Sequence, residues 1–464
     1  MTQGPLTPAA VRAHAAPAGH APAAFGRRFF IALAIGLVWL APAWWAPELI
    51  FAMLLWDIAF IAAWAVDLRR IPKPFAIEAA RVWSEPLTLG AAADVRVEFG
   101  NASNTMLRLF WIDDTPYELR REPPLGEVVV GAGGHGEARY EADPGQRGDL
   151  SLGLLHLSMQ SLWGLAERRA RADLRQTVRV LPDLRQARNQ ALYLIRSRQI
   201  AMEVRRRHRA GRSREFEALR DYRSGDERRD ICWTATARRH ALITKTYRME
   251  RNQPVWIVMD AGRLLRAQVW EPGRTYPRTK LDYAVDAALS LAQVAAQAGD
   301  RVGLIAYGRK VQQSVALGGG LPHVRQFVDA LAQVRGEPTE GNHAAAVRTL
   351  MHAQTRRALV VWITDIAETA TVPEVIEYAI RLQDRHVVVL LAIHQADLVA
   401  LARTPPETVD RMFEHAAAIE IVERREALLR TLRERGAFAL DTTPNQATVD
   451  LVNQYLEIKE RSLL

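Results

Sequence analysis

Two apolar runs, residues 29–46 and 49–66, lie back to back near the start of the chain, and few soluble cores can absorb such a pair. Each is close to the roughly 20 residues that an α-helix needs to cross the hydrocarbon core of a bilayer. Pro47-Glu48 makes a turn between them, and Trp44, Trp45 and Trp64 sit near the run ends, where aromatic belts form. Arg27-Arg28 precede the first run and Arg69, Arg70 and Lys73 follow the second, whereas the turn has no basic residue. By the positive-inside rule both outer ends face the cytoplasm, so a transmembrane helical hairpin is expected over residues 25–70. Two readings compete with it: a signal peptide ending at Ala41-Pro42-Ala43, and a pair of buried core helices. Pairing, length and flanking charge favour the hairpin. Asp57 lies inside the second run, and a carboxylate at membrane depth is costly enough to be a functional candidate. The alternative is a protonated Asp57 that bonds a neighbouring helix or a second copy.

At 464 residues the chain needs more than one core. Cys232 is its single cysteine, so no intrachain disulfide can form, as in proteins of reducing compartments. Residues 1–24 are rich in Ala and Pro and lack an apolar stripe, which predicts a disordered tail. From residue 74 to 183 the pattern changes to period two. Residues 94–99 alternate inward and outward, and 106–112, 127–130, 137–140, 150–157 and 177–181 are further strand candidates. Pro123-Pro124, Gly133-Gly134 and Pro144-Gly145 separate them as turns. The spacing predicts a β-sandwich of immunoglobulin-like type. No His, Cys or carboxylate cluster stands out in it, so a spacer or docking module is expected.

The formal charge of the chain is +9, and residues 196–251 alone hold seventeen Lys and Arg against eight Asp and Glu, which accounts for all of it. Helices are expected at 184–209 and 227–240, the second capped by Asp226, then a strand at 242–249. Arg220, Arg223, Arg228, Arg229 and Arg238 are candidate partner-binding residues, because guanidinium forks match carboxylates. The competing reading is a self-paired clip between domains. Nucleic-acid or anionic-surface binding ranks last, since acids are interleaved and no aromatic stacking platform accompanies the charge.

Residues 252–464 alternate strand and helix. Strands are expected at 255–259, 302–307, 311–316, 358–363, 386–393 and 437–440. Helices are expected at 281–297, 322–334, 344–355, 372–383, 424–434 and 447–460. This order predicts a doubly wound α/β sheet, whose ligands bind at the carboxyl ends of the strands. Asp260, in Met259-Asp260-Ala261-Gly262-Arg263-Leu264, and Asp365 fall at such ends. The layout resembles a von Willebrand A domain, in which Asp-x-Ser-x-Ser, a distant Thr and a second Asp hold a divalent cation through oxygen. Here Gly262 and Leu264 stand where the serines belong, and residues 339–343 offer no clean Gly-Gly-Thr. The metal site is therefore read as degenerate, with no metal or cofactor expected, and Asp260 and Asp365 are expected to bond loop N–H groups and helix N-termini. Gly318-Gly319-Gly320 is a plain loop without the Lys-Ser/Thr of a phosphate cradle, and neither Gly-x-Ser-x-Gly nor His-Glu-x-x-His occurs. No catalytic constellation emerges.

The run Glu215-Phe216-Glu217-Ala218-Leu219-Arg220-Asp221-Tyr222-Arg223-Ser224-Gly225-Asp226, then Arg229-Asp230-Ile231-Cys232-Trp233 and Ala237-Arg238-Arg239, resembles the signature of the bacterial domain-of-unknown-function family fifty-eight. Glu250-Arg251-Asn252-Gln253-Pro254-Val255-Trp256, leading into Asp260, is similar too. The resemblance implies a membrane protein, and with the basic flanks above the expectation is the inner (cytoplasmic) membrane with the soluble domains in the cytoplasm. It also implies a MoxR-type AAA+ ATPase as partner, in chaperone-like maturation of other complexes. A non-enzymatic adaptor is thus the leading expectation. A metal-dependent hydrolase using Asp260 and Asp365 is the alternative.

Overall fold

Period-two alternation becomes sheet, and alternating strand and helix becomes a layered α/β unit, in the computed structural model. It describes residues 7–19, 23–39, 44–46, 48–183, 215–222, 231–248, 252–271, 276–366, 372–406, 408–461 and 463. The chain divides into two units, Met1–Leu181 and Pro182–Leu464.

The first unit is β-rich. Its strands are β1 (Val11–Pro17), β2 (Ala23–Phe25), β3 (Ile77–Trp83), β4 (Ala93–Asn101), β5 (Leu107–Asp113), β6 (Leu125–Val130), β7 (His135–Ala142), β8 (Gly148–Leu152), β9 (Leu155–Gln160), β10 (Ala166–Ala172) and β11 (Gln176–Val180). The main sheet runs β6-β5-β9-β10-β1-β3-β4-β7, with β2 on β10, while β8 and β11 form a separate pair. The expected disordered tail is corrected here. Val11 to His14 pair with β3 and Ala15 to Pro17 with β10, so β1 joins the two halves of the sheet. Small side chains do not weaken that role, since a ladder bonds through its backbone. Ile77, Val97 and Phe99 from one half, and Leu107, Leu109 and Leu157 from the other, share one core. The single strand expected at 150–157 is two, β8 and β9. Between them a Cβ on Gly153 would fall 1.9 Å from Asp114 Oδ2, so a larger residue there would have to displace the Asp114 side chain.

The two apolar runs differ in the length of helix described for each. The second is one helix, α2 (Leu49–Arg70), of 22 residues. At 1.5 Å per residue it is about 33 Å long, enough to cross a bilayer core. Ile50–Arg70 is the one described span long and apolar enough to do so, and Phe51, Leu55, Ile58 and Ile61 are exposed along it. Among the described residues the first run gives α1 (Arg27–Gly36) and a 3-10 turn, Leu37–Trp39. Gly36 weakens a continuous helix there. Gly36 is also the contact point with α2: a Cβ on it would lie 2.8 Å from Trp56 and 2.9 Å from Asp57 Oδ1. Asp57 therefore faces α1.

The base of α2 is fastened to the sheet. Asp67 is fully buried and accepts from the backbone N–H of Leu165 (3.0 Å) and Ala166 (2.9 Å) and from the Ser161 hydroxyl. Trp64 Nε1 donates to the Ala24 carbonyl at 3.3 Å, and the Arg70 guanidinium lies 4.1 Å above the Trp163 ring.

In the second unit β12 (Glu215–Asp221) pairs antiparallel with β13 (Ile243–Arg248), and α3 (Trp233–Arg239) lies between them in sequence. The helix expected at 227–240 begins only at Trp233 among the described residues, because Ile231 bridges to Thr244 instead. The helix expected at 184–209 lies outside the described residues.

The larger sheet comprises β14 (Pro254–Asp260), β17 (Arg301–Tyr307), β18 (Val311–Gly318), β19 (Leu359–Thr364), β20 (Val387–Ile393) and β21 (Phe438–Thr442). A small ladder, β15 (Gln268–Val269) with β16 (Arg278–Thr279), stands apart. The large sheet runs β18-β17-β14-β19-β20-β21, parallel throughout except for β18. Its helices are α4 (Lys280–Gln297), α5 (Gly320–Gln333), α6 (His343–Ala353), α7 (Val372–Gln383), α8 (Ala396–Arg403), α9 (Val409–Glu434) and α10 (Ala447–Glu460). Helices α4, α5 and α10 pack together, and α6, α7 and α9 form another layer. Trp256, Val258, Trp362 and Leu390 point toward the second layer, where Leu350, Leu382 and Leu428 meet them. Strands buried on both faces read as continuous apolar runs, as β14, β19 and β20 do. Helix α8 was not anticipated from the sequence, and α9 starts well before the expected 424.

Candidate functional site

The first connection from β14 runs through α4 to β17 on one side, and β19 lies on the other side. The carboxyl ends of β14 and β19 therefore flank the point where the winding reverses, the usual place for a ligand in such a sheet. Asp260 ends β14 and Asp365 follows β19, and both are buried.

Asp260 is satisfied locally. Its Oδ1 accepts from the Gly262 N–H at 2.8 Å and its Oδ2 from the Thr364 hydroxyl at 2.8 Å. The following turn is zipped to the 337–341 loop: Arg263 N–H donates to the Thr339 carbonyl (2.9 Å) and Glu337 N–H to the Ala261 carbonyl (2.7 Å). This loop leaves no room for a side chain at residue 262, where a Cβ would fall 2.7 Å from the Gly341 nitrogen. Gly262 thus reflects close backbone approach, since its φ of −73° suits any residue. Leu264 is half-buried and turns toward a neighbouring cavity.

Burial pushes the Asp260 carboxyl above its ordinary range, opposed by His343, the Gly262 N–H and the Thr364 hydroxyl. His343, the first residue of α6, is pushed down by burial, with Asp260 opposing. Trp362 Nε1 donates to the Tyr307 hydroxyl at 2.7 Å, and that hydroxyl lies 2.9 Å from His343 Nδ1. An indole nitrogen only donates, so the Tyr307 hydroxyl accepts from Trp362, and the direction of its bond with Nδ1 is set by the His343 tautomer.

Asp365 is held by cations. Its Oδ2 accepts from Lys280 Nζ at 2.7 Å; its Oδ1 accepts from Arg425 Nη1 at 2.6 Å and the Ile366 N–H at 2.7 Å. Arg425 Nε continues to Asp441 Oδ1 at 2.8 Å, which His394 Nδ1 also approaches at 2.9 Å. Burial alone would raise the Asp441 carboxyl, but His394 and Arg425 outweigh it and hold the group low.

Lys280 owes its place to a capping box. The Thr279 hydroxyl accepts from the Asp282 N–H (3.3 Å), and Asp282 Oδ2 accepts from the Thr279 N–H (2.8 Å), starting α4 at Lys280. A cation at a helix N-terminus is opposed by the helix dipole, so its buried position there is carried by Asp365.

A divalent ion does not fit this arrangement. Asp365 already has both oxygens committed to two cations and an amide, residue 262 has no room for a hydroxyl, and Leu264 offers no donor atom. Among the described residues no group of three His, Cys, Asp or Glu side chains is placed to hold a metal ion. The loop N–H partners expected from the sequence are present, at Gly262 for Asp260 and Ile366 for Asp365. Lys280 and Arg425 were missed. Signals existed for both: Lys280 is the electrostatically wrong residue at N1, and Arg425 lies on the apolar stripe with Leu428, Leu429 and Leu432.

Of the candidate arginines, Arg220 is on β12, with Nη1 donating to the Asp221 carbonyl at 3.2 Å, and Arg238 is exposed in the last turn of α3. Arg223, Arg228 and Arg229 lie outside the described residues.

The chain thus combines a β-rich unit rooted to an apolar helix with an α/β unit in which one strand-end carboxylate, Asp365, is held by two cations. The family described as "Protein of unknown function DUF58" matches residues 218–410, from the arginine-rich signature through the strand-end site. This supports the resemblance over that stretch. No curated protein matches the sequence. Similar solved structures include proximal thread matrix protein 1 of the mussel byssus, at 11% identity over 44% of this chain and 47% of that one, with a TM-score of 0.29. This chain therefore spans about half the length of the mussel protein. Another is the vWF domain of the type V pili tip protein Mfa5 from Porphyromonas gingivalis, at 12% identity over 46% of this chain and 97% of that one, with a TM-score of 0.25. An uncharacterized membrane-spanning protein from Vibrio fischeri is 16% identical over 45% of this chain and 100% of its own, with a TM-score of 0.19.

Proposed function

We propose that the chain is a membrane-anchored, non-enzymatic adaptor or assembly factor. Its α/β unit, of von Willebrand A type, contacts protein partners without a metal ion. The observation that carries this reading is the double hold of Lys280 and Arg425 on Asp365, where a metal-dependent hydrolase needs free carboxylate oxygens. Anchoring is supported by the exposed apolar surface of α2. A return of the chain to its starting side is supported by sheet pairing: β1 precedes the apolar segment, yet pairs with β3 and β10, which follow it. Basic residues at the base of the segment support a cytoplasmic location for that side. Arg238 and Arg239 of the arginine-rich stretch are exposed, and a MoxR-type AAA+ ATPase is the partner the family resemblance nominates.

Affinity capture of the full chain from solubilised membranes, with partners identified by mass, tests the reading. An AAA+ ATPase should be captured, and Arg238→Glu should reduce its recovery without altering thermal melting. Capture of no ATPase, or a metal-dependent hydrolytic activity lost in Asp260→Ala, overturns the proposal.

A further inference from the structure

A cavity of about 690 Å³ opens beyond the carboxyl ends of β19, β20 and β21, between the turn after β14 and helices α8 and α9. Its lining has two chemistries. Leu398, Val399 and Ala402 recur at helical spacing along α8, and Ile421 and Val422 stand on α9. The second chemistry is ionic: Arg263, Arg266, Lys280, Arg403 and Arg425 against Asp365, Glu426 and Asp441, an excess of cations. Hydrogen-bond donors are in excess as well. Arg425 is 7% exposed and spends Nε on Asp441 and Nη1 on Asp365, but its Nη2 has no partner among the described residues. Buried guanidinium N–H groups are normally satisfied, so this one points to a ligand. Lys280 has three N–H donors and directs one to Asp365.

We infer that this cavity receives the C-terminal end of a partner polypeptide, its α-carboxylate on Arg425 Nη2 and Lys280 and its last apolar side chains against α8 and α9. The inference rests on the protein-binding reading above and names the chemistry of the contact. A carboxylate brings the acceptors that the spare donors need, and a guanidinium matches its plane. The volume suits a few residues of peptide. A free chain end enters with chain on one side only, whereas an internal Asp or Glu must bring chain on both sides past the helical walls.

The test uses the detergent-solubilised full chain and a fluorescent Ala-Ala-Leu-Leu peptide with a free carboxylate, followed by anisotropy. Saturable binding is expected, with the C-terminal amide weaker by about tenfold or more, as loss of a charge-assisted hydrogen bond implies. An amide-capped Ala-Leu-Glu-Leu peptide should also bind more weakly. Arg425→Gln should abolish binding. Because that change also strips Asp365 and Asp441 of a partner, Ala402→Phe is the second variant: it fills the cavity, leaves the ion network intact and should weaken binding similarly with unchanged melting. Equal binding of acid and amide, tighter binding of the internal-Glu peptide, no binding of the free acid, or indifference to Ala402→Phe overturns the inference. Absence of peptide binding with ATPase capture intact removes this inference and leaves the adaptor reading standing. Peptide binding without capture does the reverse.

Discussion

Replacing Lys280 by Met removes the ammonium but keeps the length of the side chain, which isolates the electrostatic hold on Asp365. Lys280 and Asp365 side chains are 4% and 2% exposed, so water cannot substitute for the lost partner. Breaking a buried pair from one side typically costs about 3–5 kcal/mol. Arg425 and the Ile366 N–H still serve Asp365, which places the expected loss at the lower end, about 3 kcal/mol. For a unit of this size that is roughly 6–12 °C in melting temperature. Thermal unfolding of the full chain in detergent reads it directly. The double variant Lys280→Met/Asp365→Asn removes both charges and keeps the acceptor for Arg425. It should recover at least about 1 kcal/mol relative to additivity, as coupled neighbours do. If Lys280→Met melts within about 0.5 kcal/mol of the parent chain, or the cycle is additive, the ion pair does not hold the strand ends and the argument fails.

Calorimetric titration of Mg²⁺ or Ca²⁺ into the full chain should show no site tighter than roughly 100 μM, and a tighter site lost in Asp260→Ala would refute the cation-held reading. Gly262→Ser should destabilise by about 1–3 kcal/mol, because its Cβ meets the Gly341 nitrogen, and should confer no metal affinity; melting with and without Mg²⁺ checks both. His343 is held below its ordinary value of 6.5, so the unfolded chain binds more protons under that pH. Its contribution to stability is present above pH 6.5 and is lost as pH falls toward the folded value; His343→Gln should flatten melting temperature against pH in that window, with the slope from His386, also lowered by burial, remaining. Leu55, exposed on α2, should tolerate Lys poorly: Leu55→Lys costs about 3 kcal/mol of membrane insertion and should shift the protein out of the carbonate-resistant fraction.

Periodicity disclosed most of the strands and helices because each has one face to bury, and the apolar runs of β14, β19 and β20 could hardly be anything but buried strands. Three features were hidden for physical reasons. Strand β1 is built from Val11, Ala13 and Ala15, whose small side chains give little hydrophobic contrast, and its pairing partners are distant in sequence. The first apolar run has the composition of a spanning helix, yet the close approach of Gly36 to Trp56 and Asp57 is a tertiary fact that composition does not carry. At the site, the carboxylates were legible from their strand-end positions. The cations on Asp365 left only indirect signals, because Lys280 arrives from α4 and Arg425 from α9 and the fold brings them together.

The bridging position of β1 also fixes an order of assembly. This strand is made first, but Ala13 must wait for Ala79, and Ala15 for Ala172, before its backbone is satisfied. Meanwhile the apolar segment emerges directly behind it. Strand β1 is therefore an unpaired edge until its later partners are made, open to wrong partners until β10 appears. A bulky domain fused immediately ahead of Val11 would hinder that late closure, whereas the same fusion beyond α10 would leave the β-rich unit free to complete its sheet.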